Sequence, residues 1–153
     1  MPRGYGTFEH TADIGIRAWG NEFSEVFEEA AKALFSVIVD LETVSPRQKL
    51  KVELTSPLTH TLSPAGRGQG EGYEELFLAW LKELLFIFET KHILLSRFKI
   101  LDLSTTHLSA EAEGEPIDNK KHALGKEVKA ITHHQFKLIR DKSRYLAEVI
   151  LDI

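Results

Sequence analysis

Asp13-Ile14-Gly15-Ile16-Arg17-Ala18-Trp19-Gly20-Asn21-Glu22-Phe23-Ser24-Glu25-Val26-Phe27-Glu28-Glu29-Ala30-Ala31-Lys32-Ala33-Leu34-Phe35-Ser36-Val37-Ile38 changes its period halfway, and that change decides the fold. Up to Trp19, Ile14, Ile16 and Ala18 alternate with other residues, the period of a strand, which the reading carries back over residues 5–19. Gly20-Asn21 ends the strand and offers Asn21 as a helix N-cap. Beyond it Phe23, Val26, Phe27, Ala30, Ala31, Leu34 and Ile38 recur at helical spacing, with Glu25, Glu28, Glu29 and Lys32 on the other side. A strand feeding an amphipathic helix is the first half of an α+β layer.

The rest of the chain repeats the pattern once and then changes it. Leu50, Val52 and Leu54 alternate with charged residues as a strand. A second helix spans about Glu74 to Thr90, where Leu76, Phe77, Trp80, Leu81, Leu84, Leu85 and Phe88 make a face so broad that it must be covered by sheet. Trp80 on that stripe reads as core. Short strands follow at about 98–103, 107–112, 127–132, 135–140 and 145–152, with turns at Thr105-Thr106, Gly114-Glu115-Pro116 and Asp141-Lys142-Ser143. The order predicts a compact two-layer α+β domain over residues 1–153, with two main helices packed on a largely antiparallel sheet. Between the halves, about 55–72 holds two prolines, four glycines and several hydroxyl residues, and reads as a flexible loop insertion. It lacks the Gly-Lys-Ser/Thr ending of a phosphate loop.

Composition narrows the chemistry. With no cysteine among 153 residues, disulfides, thiolate nucleophiles and iron–sulfur clusters are excluded. The start, Met1-Pro2-Arg3-Gly4-Tyr5, has no signal-peptide core, and the apolar run from Leu76 to Phe88 is interrupted by Lys82 and Glu83. A cytoplasmic protein without membrane attachment is the expectation. A net charge of −4 opposes a broad nucleic-acid groove, although Lys120, Lys121, Lys126, Lys129, Lys137, Arg140, Lys142 and Arg144 gather late in the sequence.

Two ends of the chain carry the chemistry that remains. His10-Thr11-Ala12-Asp13 and Leu151-Asp152-Ile153 each put a carboxylate on a strand, and the second sets the α-carboxylate of Ile153 beside Asp152. If these strands pair, three carboxylates converge, and their repulsion is relieved by a hard divalent cation with oxygen ligands: calcium first, with magnesium or manganese as alternatives. Leu146, Val149, Ile150 and Leu151 extend strand character nearly to the last residue, so the terminus is expected to be ordered. A zinc site of His10, His134 and Asp13 is the rival. On one continuous strand His10 and Asp13 would face opposite sides, as would the adjacent His133 and His134. Neither a Gly-x-Ser-x-Gly elbow nor a His-Glu-x-x-His motif is present, so no catalytic residue is assigned.

Five blocks, in order, resemble the archease family. They are Tyr5-Gly6-Thr7-Phe8-Glu9-His10-Thr11-Ala12-Asp13-Ile14-Gly15-Ile16-Arg17-Ala18-Trp19-Gly20, the helix end Glu29-Ala30-Ala31-Lys32-Ala33-Leu34-Phe35, Trp80-Leu81-Lys82-Glu83-Leu84-Leu85-Phe86, Val128-Lys129-Ala130-Ile131-Thr132-His133-His134, and Asp152-Ile153. The 55–72 segment is longer than the family's usual connection. The resemblance implies the archease fold, related to SHS2 modules, and a metal site at Asp13, Asp152 and the carboxylate or carbonyl of Ile153. It also implies an accessory role: activating an RtcB-type RNA ligase in tRNA splicing or RNA repair by aiding guanylylation and multiple turnover, with tRNA engaged through the ligase. Such a protein is not itself an enzyme. Two alternatives stand beside it, a metal-dependent hydrolase of a small phosphorylated substrate and a general chaperone or adaptor.

Overall fold

The computed structural model describes residues 3–10, 12–56 and 72–153, without the side chain of His10. In chain order the elements are β1 (Gly4–His10), β2 (Asp13–Gly20), α1 (Phe23–Ile38), β3 (Gln48–Thr55), α2 (Glu74–Lys91), β4 (Ile93–Leu103), β5 (His107–Pro116), β6 (Ala130–Ile131), β7 (Lys137–Asp141) and β8 (Arg144–Asp152). Two helices pack on antiparallel sheet in a single α+β domain, as the pattern predicts. The strands form two sheets, however. One has the order β1-β2-β8-β6, with β7 also on β8, and the other is β3-β5-β4.

The supposed single strand over 5–19 is a hairpin. Its register pairs Thr7 with Ile16 and His10 with Asp13, so the chain reverses between His10 and Asp13. That turn lacks the Gly, Asn or Asp that usually marks a hairpin, and the alternation runs through it unbroken. The N-cap is also displaced. Glu22 occupies the position without accepting a helix backbone N–H on its side chain, while the Glu25 carboxylate reaches back to accept the Asn21 N–H at 2.8 Å. The strand expected at 127–132 reduces to the two ladder residues Ala130 and Ile131.

The helices are held where their apolar faces dictate. Val26, Phe27, Ala30, Ala31 and Leu34 of α1 are buried, as are Leu76, Phe77, Trp80, Leu81 and Leu84 of α2. Trp80 is core: its indole N–H donates to the Phe27 carbonyl at 2.8 Å, tying the helices together while satisfying its one polar atom. Alternating residues of both sheets meet this layer, Ile16 and Ala18 from β2, Ala147, Val149 and Leu151 from β8, and Leu108, Ala110 and Ala112 from β5. Gly114 permits the closest approach, since a Cβ there would lie 1.8 Å from the Leu94 carbonyl oxygen, beside the bulge in β4 between Leu95 and Arg97. Among the described residues no helix is long and apolar enough to cross a membrane. The loop assigned to about 55–72 lies, for residues 57–71, outside the described residues; Thr55 closes β3 and Ser56 N–H donates to the Thr106 carbonyl at 2.8 Å.

Candidate metal centre

β2 and β8 are neighbours in the five-stranded sheet, paired antiparallel with Ile14 opposite Leu151. Continuing that register by one residue brings Asp13 opposite Asp152, at the end where β2 begins and β8 finishes. Facing residues of an antiparallel pair lie on one side of the sheet, with Cβ atoms about 4.5–5.5 Å apart. Asp13 is half-buried, Asp152 is exposed and Ile153 is half-buried. The structure therefore brings the two acids to one sheet end, on one side, with Ile153 adjoining.

The terminus is ordered because it is strapped. Asp152 faces Ala130 in the β6–β8 ladder, the Lys129 N–H donates to the Asp152 carbonyl at 2.7 Å, and the Thr132 N–H donates to the Ile150 carbonyl at 3.1 Å. The Thr132 hydroxyl reinforces this with a 2.9 Å bond to the same Ile150 carbonyl. Lys129, Ala130, Ile131 and Thr132 thus act as one backbone clamp on the last turn of strand. The sequence showed their block but not this role.

The histidines are placed differently from the rival scheme. The hairpin sets the His10 backbone opposite Asp13, so the argument from a continuous strand does not apply; the His10 side chain lies outside the described residues. His133 and His134 are exposed in the turn between β6 and β7, not on a strand. The His133 Nε2 lies 3.5 Å from Lys82 Nζ. Among the described residues no three His, Asp or Glu side chains cluster to hold a metal.

The donor set at the sheet end suits a hard cation. Two carboxylates at facing positions repel, and among the described residues neither Asp13 nor Asp152 has a cationic side chain in an ion pair with it. The α-carboxylate of Ile153 would add oxygens of the same kind, and carbonyls and water complete a calcium shell in such sites. One row inward along the same face, the Phe8 ring covers Gly15, whose absent Cβ would meet it at 2.2 Å. Arg17 lies 4.6 Å from the centre of that ring and pairs with Glu148 at 2.6 Å, so its guanidinium is engaged there.

A second carboxylate centre was not legible in the sequence. Glu115, only 3% exposed, accepts from the Ser45 N–H at 2.8 Å, from Lys121 Nζ at 2.7 Å and from His122 Nε2 at 2.8 Å. The Asp118 N–H donates to His122 Nδ1 at 2.9 Å, which leaves the proton on Nε2 facing Glu115. Lys121 foremost, then the Ser45 amide and His122, hold the Glu115 carboxyl down to about 2. The late basic residues divide as well: Lys120 and Lys121 flank Glu115, Lys129 adjoins the chain end, and Lys137, Arg140 and Arg144 lie on the β7–β8 hairpin.

The fold and this sheet end define a small α+β protein with an acidic residue on each of two paired strands, β2 and β8, at one end of a sheet. Comparison gives the family. Residues 5–153 match the model of the archease protein family, and the chain belongs to that family. It is 37% identical to protein archease of Methanothermobacter thermautotrophicus, covering 99% of each chain. It is 35% identical to that of Methanosarcina mazei, over 97% of this chain and 95% of the other. The solution structure of Methanobacterium thermoautotrophicum protein 1598 superposes with a TM-score of 0.77 at 37% identity, covering 98% of this chain and 99% of that one. A Thermotoga maritima archease, described as a possible chaperone, shares the fold with a TM-score of 0.61 at 22% identity, covering 95% and 94%.

Proposed function

We propose that this archease binds a divalent cation, calcium or a smaller hard ion, through Asp13, Asp152 and the α-carboxylate of Ile153, and that it serves in the cytoplasm as a non-catalytic activator of an RtcB-type RNA ligase. The observation that supports the metal reading is the β2–β8 register, which sets Asp13 opposite Asp152 beside the chain end. The ion would offset two of the three negative charges and fix the carboxylates of the sheet end in one arrangement. The ligase reading rests on family membership together with that site. Contact with tRNA in this reading is made by the ligase.

The test is ligation at limiting ligase, with and without this protein, in the presence of metal. The expected outcome is several-fold more product per ligase molecule, lost in Asp13→Ala and Asp152→Ala. No stimulation with the cognate ligase ends the activator reading. Turnover of generic phosphoesters by this protein alone, abolished in Asp13→Ala, would put a metal-dependent hydrolase in its place.

A further inference from the structure

The outer face of the three-stranded sheet is built differently from the rest of the surface. Register places Lys49, Glu113 and Arg97 in one row across β3, β5 and β4, and Lys51, Glu111 and Lys99 in the next. Each row is cation, carboxylate, cation. The four cations are exposed and the two glutamates between them half-buried. Lys32 of α1 joins them at a groove of about 450 Å³ that Lys49, Arg97, Lys99, Glu111 and Glu113 also line.

The carboxylates do not satisfy the cations. Lys49 pairs with Glu111 at 3.6 Å, Lys51 pairs with Glu53 at 3.5 Å, and Lys32 pairs with Glu29 at 3.4 Å. Arg97 and Lys99 make no ion pair among the described residues. Cross-strand pairing needs one cation for each glutamate, and these rows supply two. In a chain of net charge −4, such an excess is a segregated patch. Phe98 at the groove is buried, so the face presents charge without a stacking ring.

We propose that this face binds the phosphodiester backbone of single-stranded nucleic acid, with Arg97 and Lys99 as its principal contacts. Successive rows on one face of a strand lie roughly 6.8 Å apart, close to the spacing of consecutive phosphates in an extended single strand. Three strands span only about 10 Å, which admits one backbone. Without stacking or base-edge groups, binding is independent of sequence and strongly dependent on salt. The proposal stands apart from the metal site and from the ligase reading. Cations on the edge strand β4 also deter pairing with another chain, a role that requires no ligand and is separated by experiment.

The experiment is fluorescence anisotropy of a labelled mixed-sequence 20-nucleotide RNA, and of the matching DNA, titrated with the full chain across salt concentrations. A Kd of about 10⁻⁴–10⁻⁶ M is expected, with RNA and DNA alike. Arg97→Glu with Lys99→Glu should abolish binding. The milder Arg97→Gln with Lys99→Gln, checked for an unchanged melting temperature, should weaken it and reduce the salt slope by about 1.4, two phosphates at about 0.7 each. Lys120→Glu with Lys126→Glu, a matched reversal elsewhere, should change little. Absence of binding at low salt overturns the proposal, as does equal loss in both pairs of reversals. Equally tight binding of polyglutamate also overturns it, in favour of an acidic protein partner.

Discussion

Two groups of carboxylates in this molecule are built on opposite principles. Glu115 sits inside three donors, with Lys121, His122 and the Ser45 amide each spending a hydrogen on it. Asp13 and Asp152 stand at facing positions on β2 and β8, each the other's nearest acid by register, with no cationic side chain of the described residues paired to either. A buried acid whose partners are complete has finished its work when the chain folds, since it joins β5 to the segments around Ser45 and His122. An acid pair with no cationic side chain of the described residues beside it gains nothing for the fold, and a bound cation would offset its repulsion. Completeness of partnering, not charge or burial alone, separates a structural carboxylate from one available for binding.

Substitution should split the two centres in opposite directions. Asp152→Asn, which removes one of two like charges, should leave the metal-free protein at least as stable as the parent. Saturating metal should raise the melting temperature of the parent by roughly 5–10 °C at a hundredfold excess over Kd, and that of the variant scarcely at all. Glu115→Gln should do the reverse, lowering the melting temperature by roughly 5 °C while leaving the metal-induced rise intact. Differential scanning fluorimetry of the three proteins with and without calcium reads all six melting temperatures. A metal response that disappears in Glu115→Gln, or survives in Asp152→Asn, breaks the distinction.

Acid provides a smaller effect with a definite sign. The Glu115 carboxyl is held at about 2 in the folded protein, below its ordinary 4.5. A depressed carboxyl stabilises the fold fully above the unfolded value, and this contribution is lost as pH falls from there through about 2. Unfolding in urea as a function of pH should therefore show the parent losing its advantage over Glu115→Gln across that interval, with the two converging near its lower end. A constant difference between pH 7 and 2 would show that Glu115 acts by packing and not by charge.

How much of this was readable in advance depended on how far apart the participants lie. Both helices were legible because their evidence is local: Phe23 to Ile38 and Leu76 to Phe88 repeat at helical spacing, and each apolar stripe is buried, Phe88 only in part. The Asp13–Asp152 juxtaposition was reachable because each acid announces its own strand, leaving one pairing to infer. The β1–β2 reversal was not, because Thr11-Ala12 carries none of the usual turn chemistry. Nor was the N-cap: Glu22 holds that position, and the Glu25 carboxylate accepts the Asn21 N–H, the reverse of a bond in which Asn21 would accept from the helix. The Glu115 centre draws its donors from residues 45, 121 and 122, and no spacing rule links a glutamate to an amide 70 residues earlier in the chain. Strand 127–132 looked longer than its ladder because Lys129 to Thr132 clamp the end of β8 through individual backbone bonds.

The finest division lies within the proposed metal site, between its side chains and the chain end. Asp13 and Asp152 would supply two carboxylates; Ile153 would supply the third through its backbone, so the identity of its side chain matters only for packing, where it lies half-buried against the core. Extending the protein by a Gly-Ser dipeptide converts that carboxylate into an amide carbonyl, removing one negative charge but leaving one oxygen. It also obliges the added residues to leave past the clamp formed by Lys129 and Thr132. Affinity in oxygen-ligand sites follows the number of charged ligands, so calcium binding should weaken by roughly tenfold, less than on loss of either aspartate. Ile153→Val should keep the parent affinity, and an extension before Arg3 should have no effect. Isothermal titration of the C-terminally extended, N-terminally extended and Ile153→Val proteins decides. Equal affinity in all three removes the Ile153 carboxylate from the site and leaves the two aspartates, with carbonyl and water oxygens, as its ligands.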